Sequence, residues 1–279
     1  VIRNSGWGLD AQWTHSTAPG GARAFKPVLH GPADLKRLRW PEITYDARAT
    51  AEQLAEAQAL FGDLLDVKLK GVAHVSYHLL NQYSAWRGLE QTFLDMIEEP
   101  GLLHEALAFL TEGHRRVLQQ YVAQNLLSLN NDNTYHSTGG NGYTDELPAP
   151  GFDAQRVRPC DLWASAESQE LTLVSPEMHA EFALAYEKRL LEPFGLNGYG
   201  CCDDLTRKLD RVCALPRIRR ISCSPFAAVE KCAERLGGSC IFSWKPQPAQ
   251  LVGEFNAEFV RAYIQRTVDA ARRNGCVLE

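Results

Sequence analysis

Strand and helix patterns alternate regularly over the last third of the chain, and this alternation constrains the fold more than any other feature. Short apolar runs begin at 196, 217, 239 and 276, and the first three are followed by the helical patterns DLTRKLDRVCAL, PFAAVEKCAERLG and NAEFVRAYIQRTVDAARRNG. A helix between two strands returns the chain to the same end of the sheet, so the strands run parallel. The sequence therefore predicts an α/β protein with helices outside a parallel sheet.

Two folds share this alternation, the doubly wound sheet and the closed barrel. Neither the Gly-x-Gly-x-x-Gly turn nor the phosphate loop of the nucleotide-binding doubly wound proteins is present. A chain of 279 residues also has the length of many barrels. We therefore expect a (β/α)8 TIM-type barrel, incomplete at the termini because the sequence stops inside the predicted strand CVLE and the natural protein is expected to continue.

The earlier part of the chain divides into an arm and the first half of this barrel. Residues 1–46 are rich in Pro, Gly and Trp without a sustained period, which predicts an irregular N-terminal arm before a barrel domain at 47–279. Helical spacing predicts a helix over 47–64, and short apolar runs predict strands near 72–79 and 126–130. Ser175 followed by Pro176 is typical of a helix start.

Composition narrows the class of function. The net charge is −5 with scattered Lys and Arg, which argues against a nucleic-acid partner. No apolar run approaches the roughly 20 residues of a membrane helix, and no signal peptide is recognisable, so we expect a cytoplasmic protein without a membrane partner. The eight cysteines are not spaced as a disulfide framework and are expected to be thiols. The arm is a candidate interface for a homodimer.

In a parallel barrel the chemistry lies where the strands end, at their carboxyl termini. This rule places Cys201 and Cys202 at the functional edge, directly after the strand at 196–200. It also selects other polar and aromatic residues that follow predicted strands. These residues are His78, Asn131, Asp132, His136, Glu167, Ser224, Trp244 and Lys245.

Three interpretations of Cys201 and Cys202 remain open at this point. One is a zinc site, completed by His78, His136, Glu167 or Asp203, since a catalytic zinc takes about three protein ligands. Another is a nucleophilic or redox thiol near the N-terminus of the following helix. The third is a tight turn with two small residues.

The remaining polar candidates carry alternatives of their own. Asp132 precedes His136 by four residues, so the two could form a carboxylate–imidazole pair for acid–base work, or the loop could satisfy its own backbone. Lys245 could direct a cation at an anionic substrate or lie in solvent. His104, His114 and His179 fall on helical patterns and are expected to be solvated.

Four segments together resemble the uroporphyrinogen decarboxylase superfamily: CDLWASAESQELTLVSPEMHAEF, GYGCCDDL, ISCSP and FSWKPQP. The resemblance covers roughly residues 100–279 and implies a (β/α)8 barrel with a funnel at the carboxyl ends of the strands. The zinc-dependent methyltransferases of this superfamily carry His-x-Cys on one strand and a further Cys on the last strand. Here Tyr199 stands in the place of that His, Cys201 matches the Cys, and Cys202 stands in the following Gly position.

The resemblance implies a methyltransferase that moves a methyl group between a corrinoid and a thiol or another nucleophile. It implies zinc and a methylcorrinoid as cofactors, with a small-molecule substrate and a corrinoid protein as a candidate partner. We expect Cys201 and Cys202 as metal ligands and Glu167, His136 and Asp132 in acid–base roles. Residues expected to contact substrate are His78, Asn131, Tyr199, Trp244 and Lys245.

Two further functions compete with methyl transfer. One is cofactor-free decarboxylation of a tetrapyrrole such as uroporphyrinogen, in which Asp132 or Asp161 would stabilise a protonated pyrrole. The other is a non-catalytic corrinoid or porphyrin binder.

Overall fold

The body of the protein is a six-stranded parallel sheet, seen in a computed structural model that describes residues 1–132 and 144–279. The strands are β1 (Ile2–Asn4), β2 (Gln12–His15), β3 (Arg23–Lys26), β4 (Ile43–Tyr45), β5 (Ser76–Tyr77), β6 (Trp163–Ala166), β7 (Leu196–Tyr199), β8 (Ile218–Cys223), β9 (Ile241–Trp244) and β10 (Val277–Leu278). The α-helices are α1 (Ala47–Phe61), α2 (Leu79–Arg87), α3 (Leu89–Glu98), α4 (Pro100–Ala123), α5 (Pro176–His179), α6 (Ala185–Leu191), α7 (Leu209–Val212), α8 (Val229–Leu236) and α9 (Ala257–Arg273). A π-helical segment, Ala180–Leu184, joins α5 to α6.

The prediction of a (β/α)8 barrel is wrong for the described residues. The parallel sheet has the order β5-β6-β7-β8-β9-β10, so β5 and β10 form its opposite edges. A barrel needs every strand paired on both sides, and the N-terminal part of the chain does not supply the missing strands. There β1 pairs with β4, and β2 with β3, as two separate antiparallel sheets. The predicted strand at 126–130 makes only one bridge to the sheet region, between Leu127 and Val72.

Consecutive strand order places the helices on one face of the sheet. Crossovers between parallel neighbours are right-handed as a rule, and because the order always advances in the same direction, the connecting helices are expected on the same side. Tyr77, Ala166, Tyr199, Ile221 and Phe242 are in register across the strands and belong to the main hydrophobic core with the helices. We call this side the helix-covered face.

The opposite side of the sheet is polar along most of its length. Alternate residues of the strands point to it, because successive side chains of a strand lie on opposite faces. At its amino end Trp163, Leu196 and Ile241 form a small apolar cluster with Leu147. Toward the carboxyl end it is lined by small and charged side chains, and we call it the polar face. Its members are Ser76, Ser165, Gly198, Arg220, Ser222 and Ser243.

The arm packs against the helices through its apolar residues. Leu9, Leu29 and Leu38 are buried in the main core. The indole N–H of Trp86 on α2 donates to the carbonyl oxygen of Leu9 at 2.8 Å. The arm therefore contributes to the core on the helix-covered side.

The predicted helix start at Ser175 is confirmed, since its side chain accepts a hydrogen bond from the backbone N–H of Met178 at 3.2 Å. The strands predicted near 196, 217, 239 and 276 are confirmed as β7 to β10. Within the described ranges, none of the helices combines the length and hydrophobicity that crossing a membrane requires.

Candidate active site

His78 and Glu167 meet at the carboxyl edge of the sheet. His78 follows β5 and Glu167 follows β6, and these neighbouring strands place Tyr77 opposite Ala166. Because both residues continue the alternation of their strands, their side chains emerge on the polar face. Nδ1 of His78 lies 2.5 Å from Oε1 of Glu167. The Glu167 side chain is 9% exposed and that of His78 is 44% exposed, so the imidazole covers the carboxylate and meets solvent.

The surroundings of His78 favour its protonated form. Burial lowers the pKa of the imidazole, but the hydrogen bond and charge of Glu167, with the charges of Glu170 and Glu187, outweigh burial and raise it. Since Nδ1 is engaged by Glu167, Nε2 is the nitrogen that can meet a substrate. Oε2 of Glu167 is buried and has no hydrogen-bond partner among the described residues. A carboxylate that holds an imidazole in this way orients the ring and strengthens it as a base.

A cavity of about 850 Å³ lies between the arm and the start of α3, and neither His78 nor Glu167 is among the residues that line it. Glu170 lines it, and Glu170 also accepts a hydrogen bond from Nδ2 of Asn81 at 2.9 Å. The rings of Trp13 and Phe25, 4.3 Å apart, form one wall, and Leu89 forms part of the other. The volume lies in the range of small-molecule sites, about 300–1,000 Å³.

Lys245 places a cation further along the same edge. It follows β9, and its Nζ donates to the carbonyl oxygen of Cys201 at 2.8 Å and to Oγ of Ser222. Burial lowers the pKa of this amine. No carboxylate of the described residues forms a salt bridge with it, whereas Arg220 on the same face is paired with Glu279. An ammonium has three N–H donors, so one remains for a ligand.

A buried hydrogen-bond network lies behind β7, on the helix-covered face. Tyr199 donates to Oε2 of Glu187 at 2.8 Å, and Ser168 donates to Oε1 of Glu187 at 2.7 Å. Nε2 of His179 lies 3.0 Å from the hydroxyl of Tyr199. Since the Tyr199 proton goes to Glu187, His179 is the donor in that contact.

Burial determines the charge state of this network. It raises the pKa of Glu187 to about 7, although Ser168 and Tyr199 oppose the shift. It lowers the pKa of His179 to about 3, and the nearby Lys208 adds to the effect. The expectation that His179 is solvated is therefore wrong, because it is fully buried and neutral.

The two thiols lie in a turn directly after β7. Their Sγ atoms are 3.5 Å apart, with Cys202 exposed and Cys201 half-buried. The backbone N–H of Cys201 donates to Oδ1 of Asp203 at 3.2 Å. Burial raises the pKa of Asp203, whose Oδ2 has no partner among the described residues.

Within the described ranges, the two cysteines of the turn do not by themselves complete a catalytic zinc site. Such an ion takes about three protein ligands, and the turn offers two sulfur atoms. In the described part of the chain, no three His, Cys, Asp or Glu side chains are grouped so as to hold a metal ion. Glu167, a predicted third ligand, is engaged by His78 instead. No step of the chemistry below is therefore assigned to a metal.

Other residues predicted for the site lie in different surroundings. The side-chain amide of Asn131 donates to the carbonyl oxygen of Leu147 and accepts from the indole N–H of Trp163. Trp163 is the first residue of β6 and Glu167 follows its last residue, so Asn131 and Glu167 lie at opposite ends of this strand. Asp132 is paired with Lys70 at 2.8 Å. Two residues expected to contact substrate lie elsewhere. Tyr199 belongs to the buried network, and the ring of Trp244 packs against Tyr263 of α9 with the ring centres 5.2 Å apart. His136 lies outside the described residues.

Sequence reasoning missed Glu187 and His179. A signal was present, because Glu187 lies three residues from Leu184 and Leu190 and four from Leu191, on the buried side of the helix. A charged residue on the apolar stripe of a helix indicates a buried polar contact.

No protein-family model matches the sequence, and no curated protein matches it significantly. The resemblance to the uroporphyrinogen decarboxylase superfamily therefore stays a prediction from its motifs.

Proposed function

We propose that this protein is an enzyme that uses His78 and Glu167 as a general acid–base pair on an anionic small molecule bound at the carboxyl edge of the polar face. The observation that carries the proposal is the 2.5 Å contact between Nδ1 of His78 and the buried Glu167 carboxylate. Geometry supports this class of chemistry. The resemblance supplies the reaction, which we propose to be methyl transfer from a corrinoid, free or protein-bound, to a thiol or another nucleophile.

In this reaction His78 removes the proton of the methyl acceptor. In the neutral form of His78, whose basicity the contact with Glu167 increases, Nε2 takes the proton from the thiol. The sulfur forms a bond to the methyl carbon, and the donor leaves with the electron pair of the broken bond. Glu167 stabilises the resulting imidazolium, because its charge lies against Nδ1. Only His78 and Glu167 are needed for this proton transfer.

Lys245 gives the substrate a second point of attachment. It is three strands away from Glu167 along the edge, which corresponds to about 14 Å at the usual strand spacing. Its remaining donor and its charge suit a carboxylate or phosphate of the substrate. A molecule that reaches both groups would be fixed in position and in orientation.

Decarboxylation is the second candidate, and the raised pKa of His78 favours it. A protonated imidazole can deliver its proton to carbon after carbon dioxide has left. Asp161, one of the carboxylates expected to assist, lies before β6 at the other end of the strand and is paired with Arg158. His78 would therefore serve as the acid.

The test compares His78→Gln with a matched control, His30→Gln, which changes an exposed histidine of the arm. Methyl transfer is followed by loss of methylcobalamin absorbance in the presence of thiols, and decarboxylation by carbon dioxide released from uroporphyrinogen. We expect turnover in the wild type and in His30→Gln, and a rate at least about 100-fold lower in His78→Gln. Binding without turnover of either substrate, or full activity in His78→Gln, would contradict the proposal.

A further inference from the structure

The turn after β7 brings two neighbouring sulfur atoms to the same side of the chain. Successive residues of a strand point in opposite directions, so adjacent cysteines within a strand would be kept apart. Gly200 ends the strand with φ +90°, and beyond it the Sγ atoms of Cys201 and Cys202 approach to 3.5 Å. The contact therefore depends on the turn.

Side chains from three parts of the structure hold this turn in place. The backbone N–H of Cys201 is bound by Asp203. The carbonyl oxygen of Cys201, which belongs to the peptide bond between the two cysteines, accepts from Oγ of Ser222 at 3.0 Å and from Nζ of Lys245 at 2.8 Å. Because the backbone is held at both the N–H and the carbonyl oxygen of Cys201, the two thiols start close together and little further backbone ordering is needed when they react.

We infer that Cys201 and Cys202 form a reversible oxidation site, in which a peroxide converts the two thiols into a disulfide between adjacent residues. This inference goes beyond the proposed function and does not rest on it. Cys202 is exposed and receives the oxidant, and Cys201 is the resolving thiol. The ligand class is a small hydroperoxide, with hydrogen peroxide as its simplest member.

The reaction balances in two steps. Sγ of Cys202 attacks one peroxide oxygen, the O–O bond breaks, and the other oxygen leaves as water, so that Cys202 becomes a sulfenic acid. Sγ of Cys201 then attacks the sulfur of Cys202, the S–O bond breaks, and a second water leaves with the proton of Cys201. Two thiols have lost two electrons, and one peroxide has been reduced to two waters.

Each of the other close cysteine pairs includes at least one buried sulfur. Cys223 and Cys232 lie within hydrogen-bond reach of each other, but they are 1% and 0% exposed. Cys240, which pairs with Cys213, is 4% exposed. Oxidant from solvent therefore meets Cys202 first.

The product should be easy to reduce. Neighbouring Cα atoms are about 3.8 Å apart, below the usual disulfide range of about 4.4–6.8 Å, so the ring is strained. Strained disulfides have oxidising potentials and are typical of labile or regulatory sites. Mild thiol reductants should therefore restore Cys201 and Cys202.

The test treats the full chain with hydrogen peroxide, labels remaining thiols with N-ethylmaleimide, and maps tryptic peptides by mass. Cleavage after Arg189 and Arg207 gives a peptide, 190–207, in which Cys201 and Cys202 are the only cysteines. We expect this peptide to lose both labels after peroxide, through a link within the peptide, and to regain both after dithiothreitol.

Cys202→Ser is the test variant and Cys160→Ser is the control, since Cys160 is half-buried and precedes β6 at the other end of the sheet. Cys202→Ser should keep the label on Cys201 after peroxide, and Cys160→Ser should behave as the wild type. The inference is overturned if both thiols of the wild type stay labelled. It is equally overturned if peroxide leaves only sulfinic acid at Cys202 or links either residue to another peptide.

Discussion

At the scale of single residues, the surroundings of Glu187 favour its neutral form. It is fully buried, and its two oxygens accept from Ser168 and Tyr199. Neither partner carries a charge, so their hydrogen bonds offset only part of the cost of ionising the carboxyl within the core. Its proton therefore stays on well above the pH at which an exposed glutamate loses it.

We expect stability to depend on pH through Glu187. The pKa of its carboxyl is about 7 in the folded protein against 4.5 as the ordinary value, so between these values only the unfolded chain has lost the proton. Stability contributed by this group therefore falls as pH rises across that window, by about 3 kcal/mol in total. Buried His179, with its pKa lowered to about 3, acts in the opposite direction between 3 and 6.5.

Urea unfolding at several pH values from 4.5 to 7 measures the effect as a difference between variants. Glu187→Gln should be more stable relative to the wild type at each higher pH, because glutamine cannot ionise. Glu192→Gln, which changes an exposed glutamate after the same helix, should keep the wild-type pH dependence. Identical slopes for Glu187→Gln and the wild type would show that Glu187 does not retain its proton.

At the scale of elements, the turn from β7 into the thiol pair depends on Gly200. Its φ of +90° lies where residues with a side chain are strained. A Cβ placed there would also lie 2.7 Å from Cδ1 of Leu205. The turn therefore needs glycine for both conformation and space.

Comparison of Gly200→Ala with Gly6→Ala separates these two requirements. Gly6 has φ +78° but nothing within 4 Å of a built Cβ, so its substitution costs the backbone term alone, about 1 kcal/mol. Gly200→Ala should lose about 1–3 kcal/mol more, since Leu205 must move. Urea denaturation of both variants measures the loss in the free energy of unfolding. Equal losses would mean that the Leu205 side chain moves aside without a cost in stability.

The elements were largely predictable from the sequence, and the positions of some site residues followed from them. The rule that chemistry lies at carboxyl strand ends selected His78 and Glu167, because both directly follow a predicted strand. It did not place Tyr199 or Trp244 correctly with respect to the two faces, since a shift of one residue moves a side chain to the other face. Strand boundaries from sequence are not that accurate.

At the scale of the whole molecule, the alternation of strands and helices determined the winding of the sheet but not its closure. Consecutive order and one-sided helices are local consequences of each crossover. Closure into a barrel depends on the total number of strands in the parallel sheet. The strands of the arm do not join this sheet, because they pair with one another as two antiparallel pairs. The antiparallel pairing of the arm could not be predicted, because residues 1–46 show no sustained hydrophobic periodicity.

Hydrogen exchange should report the open edges. Strands β7 and β8 are paired on both sides, whereas β5 and β10 each have one partner strand in the described sheet. We expect the amides of 196–199 and 218–223 to exchange much more slowly than those of 76–77 and 277–278, when peptides are followed by mass spectrometry. Equal protection of all six strands would mean that both edges are covered.

Separation of the two faces also bears on how the protein can change over time. Along β8, Ile221 and Cys223 pack into the core, while the alternate residues Arg220 and Ser222 lie on the polar face. New specificity can therefore arise by substitution of every second residue of a strand, while the residues in between continue to pack against the helices.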